Sequence, residues 1–225
     1  MKRESGQLFK AALFDFDGVI VHSTPIHLDG WAHAYRALFQ REIDVDLLQT
    51  LVGQSTVEIG TLLAKQSGKP EARSELTRHK AKYVLENLAS IPLIPGVGEF
   101  IIRLTAARIP YGIASNAPRA FLESALTRHQ LPHAFYLGLE DYAHPKPHPE
   151  PYLKGAKKLS WDEHSHHEIA VFEDSVHGVQ SALKAEMIAI GVCSQHTPDI
   201  LKKAGAFYCI EDFLDYKLLE THFAL

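Results

Sequence analysis

The sequence predicts an α/β protein in which a doubly wound parallel sheet carries an all-helical module inserted after its first strand. Residues 8–16 (LFKAALFDF) form a short, nearly continuous apolar run, which is typical of a strand buried on both faces. From about residue 99 onward, segments that favour strands alternate with segments that favour helices. Such alternation predicts parallel strands joined by crossover helices.

The segment between these two parts shows a different pattern. Apolar residues between about Pro25 and Leu88 recur at helical spacing, and no stretch there predicts a strand. We therefore expect several short helices. The following IPLIPGVG (91–98) holds two prolines and two glycines, which favour a linker. We predict a core domain at 1–23 and 93–225 and a helical domain at 24–92.

After the linker, four predicted strands are interspersed with five predicted helices. The strands are expected at 111–115, 169–173, 187–192 and 206–210, and the helices at 99–107, 118–129, 151–159, 175–184 and 198–204. These strands would join the first strand in one sheet.

Composition excludes several classes of protein. The chain has 225 residues, 46% of them hydrophobic, which excludes a disordered or collagen-like chain. A net charge of −4 gives no basic excess, so we expect neither nucleic acid nor a membrane as a partner. Two cysteines exclude a disulfide scaffold, and no apolar run approaches the roughly 18 residues of a membrane span. We expect a soluble, cytoplasmic monomer that acts on a small molecule.

Polar side chains follow three of the predicted strands, at the edge where ligands bind in such sheets. These residues are Asp15, Asp17, Ser115, Asn116, Glu173 and Asp174, and Lys146 lies in a proline-rich loop nearby. Carboxylates suit a hard cation such as Mg²⁺, while hydroxyl, amide and ammonium groups suit phosphate oxygens. The set therefore predicts a magnesium ion and a phosphoryl group.

The spacing of Asp15 and Asp17 allows the two carboxylates to take different roles in phosphoryl transfer. On an extended backbone, residues two apart point to the same side, so one carboxylate can attack phosphorus while the other handles the proton. Each group alone also has a structural explanation: a turn for Asp-x-Asp, a helix cap for Glu173-Asp174-Ser175, and a solvated loop for Lys146. Their occurrence together at one sheet edge favours a function.

Four strings carry a resemblance to a known family: DFDGVIVHSTPIH (15–27), ASN (114–116), KPHPEPY (146–152) and FEDSVHGV (172–179). Together they resemble the haloacid dehalogenase superfamily of phosphoaspartyl enzymes over nearly the whole chain. The helical module resembles the cap of the subgroup that includes phosphoglycolate phosphatase, sugar-phosphate phosphatases and β-phosphoglucomutase.

The resemblance implies a Rossmann-like core and a role for each residue at the sheet edge. Asp15 is then the nucleophile and Asp17 the general acid and base. Mg²⁺ is held by Asp15, by the Asp17 backbone carbonyl and by Asp174, with Glu173 close by. The phosphate is held by Ser115, Asn116 and Lys146, and the cap supplies the substrate contacts His27, Gln54, Ser55 and Thr56.

The sequence departs from the family pattern at three positions. His22 stands where an acidic residue is usual, Glu150 replaces the aspartate of KPxPD, and Thr56 replaces an arginine of the mutase branch. In the mutase branch that arginine binds the second phosphate of a bisphosphate intermediate. Its replacement by Thr56 therefore favours a phosphatase over a mutase.

The expected function is a Mg²⁺-dependent phosphatase of a small phosphorylated metabolite, a sugar phosphate or a phosphoglycolate-like ester, acting through a phosphoaspartyl intermediate. A β-phosphoglucomutase-like mutase is the alternative, and a phosphoacceptor signalling module is a more distant one. A histidine cluster (His164, His166, His167) is expected to be a solvated loop, although a transition-metal site is the competing interpretation.

Overall fold

In the computed structural model, residues 9–51, 56–88 and 91–223 are described. The chain forms two compact units, with one division between His22 and Ser23 and the other between Pro92 and Leu93. We call Ser23–Pro92 the helical unit and the remainder the sheet unit. The predicted substrate contacts Gln54 and Ser55 lie outside the described residues.

The sheet unit is built on six parallel strands among the described residues. They are β1 (Ala11–Phe14), β2 (Tyr111–Ala114), β3 (Tyr136–Leu137), β4 (Ile169–Glu173), β5 (Ile188–Val192) and β6 (Tyr208–Ile210), in the order β3-β2-β1-β4-β5-β6. The strand order changes direction between β1 and β4, where such sheets bind their ligands. The predicted doubly wound parallel sheet is confirmed.

The helical unit contains α1 (Thr24–Phe39), α2 (Val45–Thr50), α3 (Thr56–Gln66) and α4 (Arg73–Glu86). Its core is formed by side chains at helical spacing, among them Trp31, Tyr35, Leu63 and Leu76. Gly30 lets α1 and α4 approach closely, because a Cβ at this position would lie 3.2 Å from a Val84 methyl carbon. The all-helical character predicted for this segment is confirmed in its described residues.

The helices that cover the sheet are α5 (Val97–Ala106), α6 (Arg119–His129), α7 (Glu150–Lys158), α8 (Val176–Lys184), α9 (Pro198–Ala204) and α10 (Tyr216–Phe223). Alternate residues of each strand point to opposite faces. Leu13 and Val171 therefore pack with α7, α8 and α9 on one face. On the other face Phe14 stacks on Phe172, with ring centroids 4.8 Å apart, and both rings contact Phe100 of α5.

One strand and one α-helix among the described residues were absent from the sequence prediction. Strand β3 has two residues, which is too short to show the alternation by which a strand is recognised. Helix α10 buries Leu219 and Phe223, which are four residues apart, so its signal was present in the sequence. None of the helices described here combines the length and the apolar character that a membrane span requires.

Candidate active site

The candidate site lies at the carboxyl ends of β1 and β4, where the strand order changes direction. The register pairs Phe14 with Phe172, so the next residues, Asp15 and Glu173, also become neighbours. The Asp15 backbone N–H donates to the Phe172 carbonyl at 3.0 Å, which extends the pairing by one residue. The sheet itself therefore fixes where the first two carboxylates stand.

Three buried carboxylates meet at this point. Oxygens of Asp15, Glu173 and Asp174 all lie within 4.8 Å of one another. Burial raises the pKa of Asp15 to about 6, although Lys146 acts against this shift. Burial, followed by repulsion from Asp15 and Glu173, raises the pKa of Asp174 well above its usual range. The site thus concentrates more negative charge than its own cation neutralises.

Lys146 is the cation that joins two of these carboxylates. Its Nζ donates to Asp15 Oδ1 at 2.9 Å and to Glu173 Oε1 at 2.6 Å. Burial lowers the pKa of Lys146, but attraction by the two carboxylates outweighs it and raises the pKa overall. The ammonium also lies 4.6 Å from the centre of the Tyr152 ring. Lys146 is therefore held charged in a fixed place.

Glu173 is the most fully bonded of the three acids. Besides Lys146, the Tyr152 hydroxyl donates to Oε1, and the Ser175 hydroxyl donates to Oε2 at 3.0 Å. A Cβ added at Gly178 would lie 1.8 Å from its carboxyl carbon, so α8 approaches it closely. Because both oxygens are engaged within the protein, Glu173 is suited to positioning Lys146.

Asn116 and Ser115 follow β2, but they make different contacts. The Asn116 side chain accepts from the Lys146 backbone N–H at 3.1 Å and donates to the Lys146 carbonyl at 3.2 Å. Its amide thus anchors the loop that carries the lysine. Ser115 is buried, and its Oγ accepts from the Ala117 N–H at 3.2 Å. A hydroxyl that accepts one hydrogen bond can also donate one to a further acceptor.

Gly18 brings the chain after β1 against Asp174. Its φ is +71°, and a Cβ here would lie 1.7 Å from Asp174 Oδ2, so a side chain at this position would collide with that carboxylate. Asp17, directly before it, adds to the upward shift in the pKa of both Asp15 and Asp174. The charge of Asp17 therefore acts on the same cluster.

Two residues that follow β5 also contact Asp174, and the sequence analysis assigned neither of them to the site. The Ser194 hydroxyl donates to Asp174 Oδ2 at 3.2 Å, and His196 Nδ1 lies 3.0 Å from the Asp174 carbonyl oxygen. The predicted site was built from the ends of three strands only. Including the polar residues that follow the strand predicted at 187–192 would have added both.

The other residues singled out in the sequence belong to different elements of the chain. His27 lies in the first turn of α1 and Thr56 begins α3, both in the helical unit. His164 and His167 are exposed in a 3₁₀ helix (Glu163–Glu168), whereas His166 is buried with Nδ1 3.0 Å from the Ala185 carbonyl oxygen. Among the described residues these three histidines form no metal-ligand cluster.

Comparison with known proteins identifies the family. The sequence profile of the haloacid dehalogenase-like hydrolases matches residues 12–192. The chain belongs to this family. The resemblance seen in the sequence and the enzyme class predicted from it are thereby confirmed, and the signalling module is set aside.

Relatives of this haloacid dehalogenase-like hydrolase include a phosphatase and a mutase. The chain is 28% identical over 205 residues to validoxylamine A 7'-phosphate phosphatase from Streptomyces hygroscopicus subsp. limoneus, covering 88% of this chain and 92% of that protein. It is also 28% identical over 194 residues to β-phosphoglucomutase from Bacillus subtilis, covering 81% and 83%. Overall identity therefore does not separate the two activities.

A solved structure of the family has the same fold. The crystal structure of a HAD hydrolase, family IA, variant 3, from Entamoeba histolytica HM-1:IMSS superposes with a TM-score of 0.79 at 25% identity, covering 94% of this chain and 97% of that one.

The acidic cluster of this hydrolase fits a hard divalent cation. All three clustered donors are carboxylate oxygens, which Mg²⁺ prefers over nitrogen or sulfur. The raised pKa values of Asp15 and Asp174 mark an excess of buried negative charge that a cation would relieve. The close approach of Gly18 to Asp174 also brings backbone next to these oxygens. On each of these points the residues suit the metal that the sequence predicted.

Proposed function

We propose that the protein is a Mg²⁺-dependent phosphatase that hydrolyses a small phosphorylated metabolite through a phosphoaspartyl intermediate on Asp15. The observation that supports this most strongly is the buried contact of Asp15 with Lys146, beside Asp174, at the point where the strand order changes direction. One nucleophile, one fixed cation and a second carboxylate are there within reach of one phosphoryl group.

In this proposal Asp15, Asp174 and the Asp17 backbone carbonyl hold the metal, with Glu173 adjacent. Bound Mg²⁺ offsets the carboxylate charge and polarises the phosphoryl oxygens. Lys146 and the Ser115 hydroxyl bind the phosphoryl oxygens. Asn116 keeps Lys146 in place through its backbone and presents its exposed amide to the same group.

The reaction proceeds in two displacements. A carboxylate oxygen of Asp15 bonds to phosphorus while the bond from phosphorus to the leaving alcohol breaks, and Asp17 gives the alcohol a proton. Asp17, now ionised, then takes a proton from water. The water oxygen bonds to phosphorus, the bond to Asp15 breaks, and inorganic phosphate leaves.

The substrate class proposed is a sugar phosphate or a phosphoglycolate-like ester. The relative named as validoxylamine A 7'-phosphate phosphatase supports a phosphorylated small molecule of this type. We assign the leaving-group contacts to His27, Gln54, Ser55 and Thr56 on the resemblance described above. The mutase is retained as a second function because one relative is β-phosphoglucomutase, and Thr56 is the residue that disfavours it.

A panel of phosphate esters tests the proposal. The purified protein should release inorganic phosphate with Mg²⁺ and lose this activity in excess chelator. Asp15→Asn should abolish turnover, because an amide is not a nucleophile. Asp199→Asn, an exposed aspartate of α9, is the matched control and should stay within about twofold of the parent. Full activity with chelator, or in Asp15→Asn, would refute the assignment.

A further inference from the structure

A second group of metal-binding side chains lies on the loop before α7. The segment HPKPHPE (144–150) carries His144, His148 and Glu150, whose ligand atoms all lie within 4.8 Å of one another. His144 Nδ1 is 3.0 Å from Glu150 Oε2, and the two imidazole ring centroids are 4.7 Å apart. Nothing in the proposed phosphatase mechanism uses these three side chains.

The loop that carries them is held in place by many contacts. Three prolines alternate with the polar residues and restrict the backbone. The Glu150 carboxylate accepts from the backbone N–H groups of Ala143 at 3.0 Å and His144 at 2.8 Å. The Ser181 hydroxyl donates to the His148 carbonyl at 2.6 Å. The three side chains therefore extend from a backbone that these contacts hold in place.

These side chains are separate from the acidic cluster. The His144 side chain is 67% exposed, whereas the Lys146 side chain, two residues on, is 4% exposed and bonded to Asp15. The loop thus buries its lysine and turns its histidines to solvent.

We propose that His144, His148 and Glu150 form a site for a divalent transition-metal ion such as Zn²⁺, Ni²⁺ or Cu²⁺. Two imidazoles and one carboxylate are the donors that these metals prefer, while Mg²⁺ favours oxygen donors alone. The acidic cluster has the opposite preference. The protein then has two metal sites that select different ions.

The geometry of the group is close to that of a bound site. Metal–ligand bonds of about 2.0–2.1 Å place the ligand atoms of a tetrahedral site about 3.3 Å apart. His144 Nδ1 and Glu150 Oε2 are already close to this separation, at 3.0 Å. His148 completes the group by rotation of its exposed ring, whose Nδ1 now accepts the Glu150 N–H at 3.2 Å.

The charges around Glu150 also permit a metal ion to bind. Lys154 Nζ lies 2.7 Å from Glu150 Oε1, so it occupies one oxygen and leaves Oε2 towards the histidines. The metal takes the place of the proton that His144 Nδ1 shares with Glu150 Oε2; this proton leaves to solvent while Nε2 carries a proton, so the imidazole that binds the metal is neutral. Water and other solvent ligands complete the coordination.

Electron paramagnetic resonance of Cu²⁺ separates this site from the acidic cluster. Untagged protein with excess Mg²⁺ and one equivalent of Cu²⁺ should show splitting from imidazole nitrogens, because the acidic cluster offers carboxylate oxygens only. The double variant His144→Gln/His148→Gln should lose that splitting. Its affinity for Zn²⁺ in Mg²⁺ buffer should fall at least about tenfold.

A matched control is the double variant His164→Gln/His167→Gln, which removes two exposed histidines elsewhere on the sheet unit. It should keep both the splitting and the Zn²⁺ affinity. Glu150→Gln removes the carboxylate alone and should weaken Zn²⁺ while keeping nitrogen splitting. The proposal is overturned by oxygen ligation alone in the parent, or by nitrogen splitting that survives in His144→Gln/His148→Gln. Circular dichroism verifies folding, and no readout depends on phosphatase activity.

Discussion

Glu173 and Asp174 are consecutive acids with different surroundings. Both oxygens of Glu173 accept hydrogen bonds from protein groups, whereas the Asp174 carboxylate accepts one from the Ser194 hydroxyl at 3.2 Å. Glu173 therefore fixes Lys146 before any substrate arrives, which lowers the reorganisation that catalysis requires. Asp174 keeps lone pairs for a cation. This difference supports the proposed division between a positioning acid and a metal ligand.

Asp17 is expected to contribute to catalysis by transferring a proton, whereas Asp15 is the nucleophile. Asp17→Asn should reduce turnover of alkyl phosphates about a hundred- to ten-thousand-fold, because it removes general acid–base catalysis. The rate at which the phosphoaspartyl intermediate forms should fall less with an aryl phosphate, because its leaving group needs little protonation. Single-turnover kinetics with both esters measure this. Equal losses for the two esters in the first step would contradict the role of Asp17.

Gly18 offers a test of the geometry around Asp174. In Gly18→Ala the new methyl group would displace the Asp174 carboxylate, so the Mg²⁺ concentration for half-maximal activity should rise and kcat/KM should fall at least about tenfold. Gly68→Ala is the control, because its φ is also positive but a Cβ there meets nothing within 4 Å. The left-handed backbone should cost both variants about 1–2 kcal/mol of stability, and Gly18→Ala should lose more because its methyl group collides with Asp174. A normal Mg²⁺ response in Gly18→Ala would count against the predicted metal site.

At the scale of elements, the site depends on strands β1 and β4 staying in register. Their aromatic residues Phe14 and Phe172 stack on one another and contact Phe100 of α5. A register shift of one residue would turn Asp15 away from Glu173 and break this stack as well. Packing on this face therefore also maintains the geometry of the carboxylates that directly follow these two aromatic residues.

Helix α5 should contribute strongly to this packing. Phe100→Ala should lower the free energy of unfolding by about 3–5 kcal/mol, since it removes a fully buried ring. Ile102→Ala, in the same helix but 58% exposed, should change it by less than about 0.5 kcal/mol. Urea unfolding followed by circular dichroism gives both values. Equal losses in the two variants would show that the ring is not part of the core.

At the scale of the whole molecule, much of the fold was readable because strands and helices alternate clearly. Asp15 and Asp174 were found since residues after parallel strands share one sheet edge. The contact of Tyr152 with Glu173 could not be found this way, because it depends on how α7 packs on the sheet. The anchoring of Lys146 by Asn116 likewise joins segments 30 residues apart in sequence.

The choice between phosphatase and mutase concerns the whole molecule, since Thr56 lies in the helical unit and Asp15 in the sheet unit. A mutase must hold a second phosphate, which arginine does bidentately and a threonine hydroxyl does not. β-Glucose 1-phosphate with a bisphosphate primer should therefore give inorganic phosphate or no product. A coupled assay for glucose 6-phosphate measures this. Efficient primer-dependent isomerisation would establish the mutase instead.

Capture of the phosphate on Asp15 tests the central claim most directly. With p-nitrophenyl phosphate and Mg²⁺, Asp17→Asn should release a burst of about one nitrophenolate per protein, because the second displacement is slowed. Acid quenching, borohydride reduction and peptide mass spectrometry should then find homoserine at position 15. The Asp15→Asn/Asp17→Asn double variant should show neither burst nor modification. Steady turnover of the parent protein with the phosphate captured on a different residue would contradict the account.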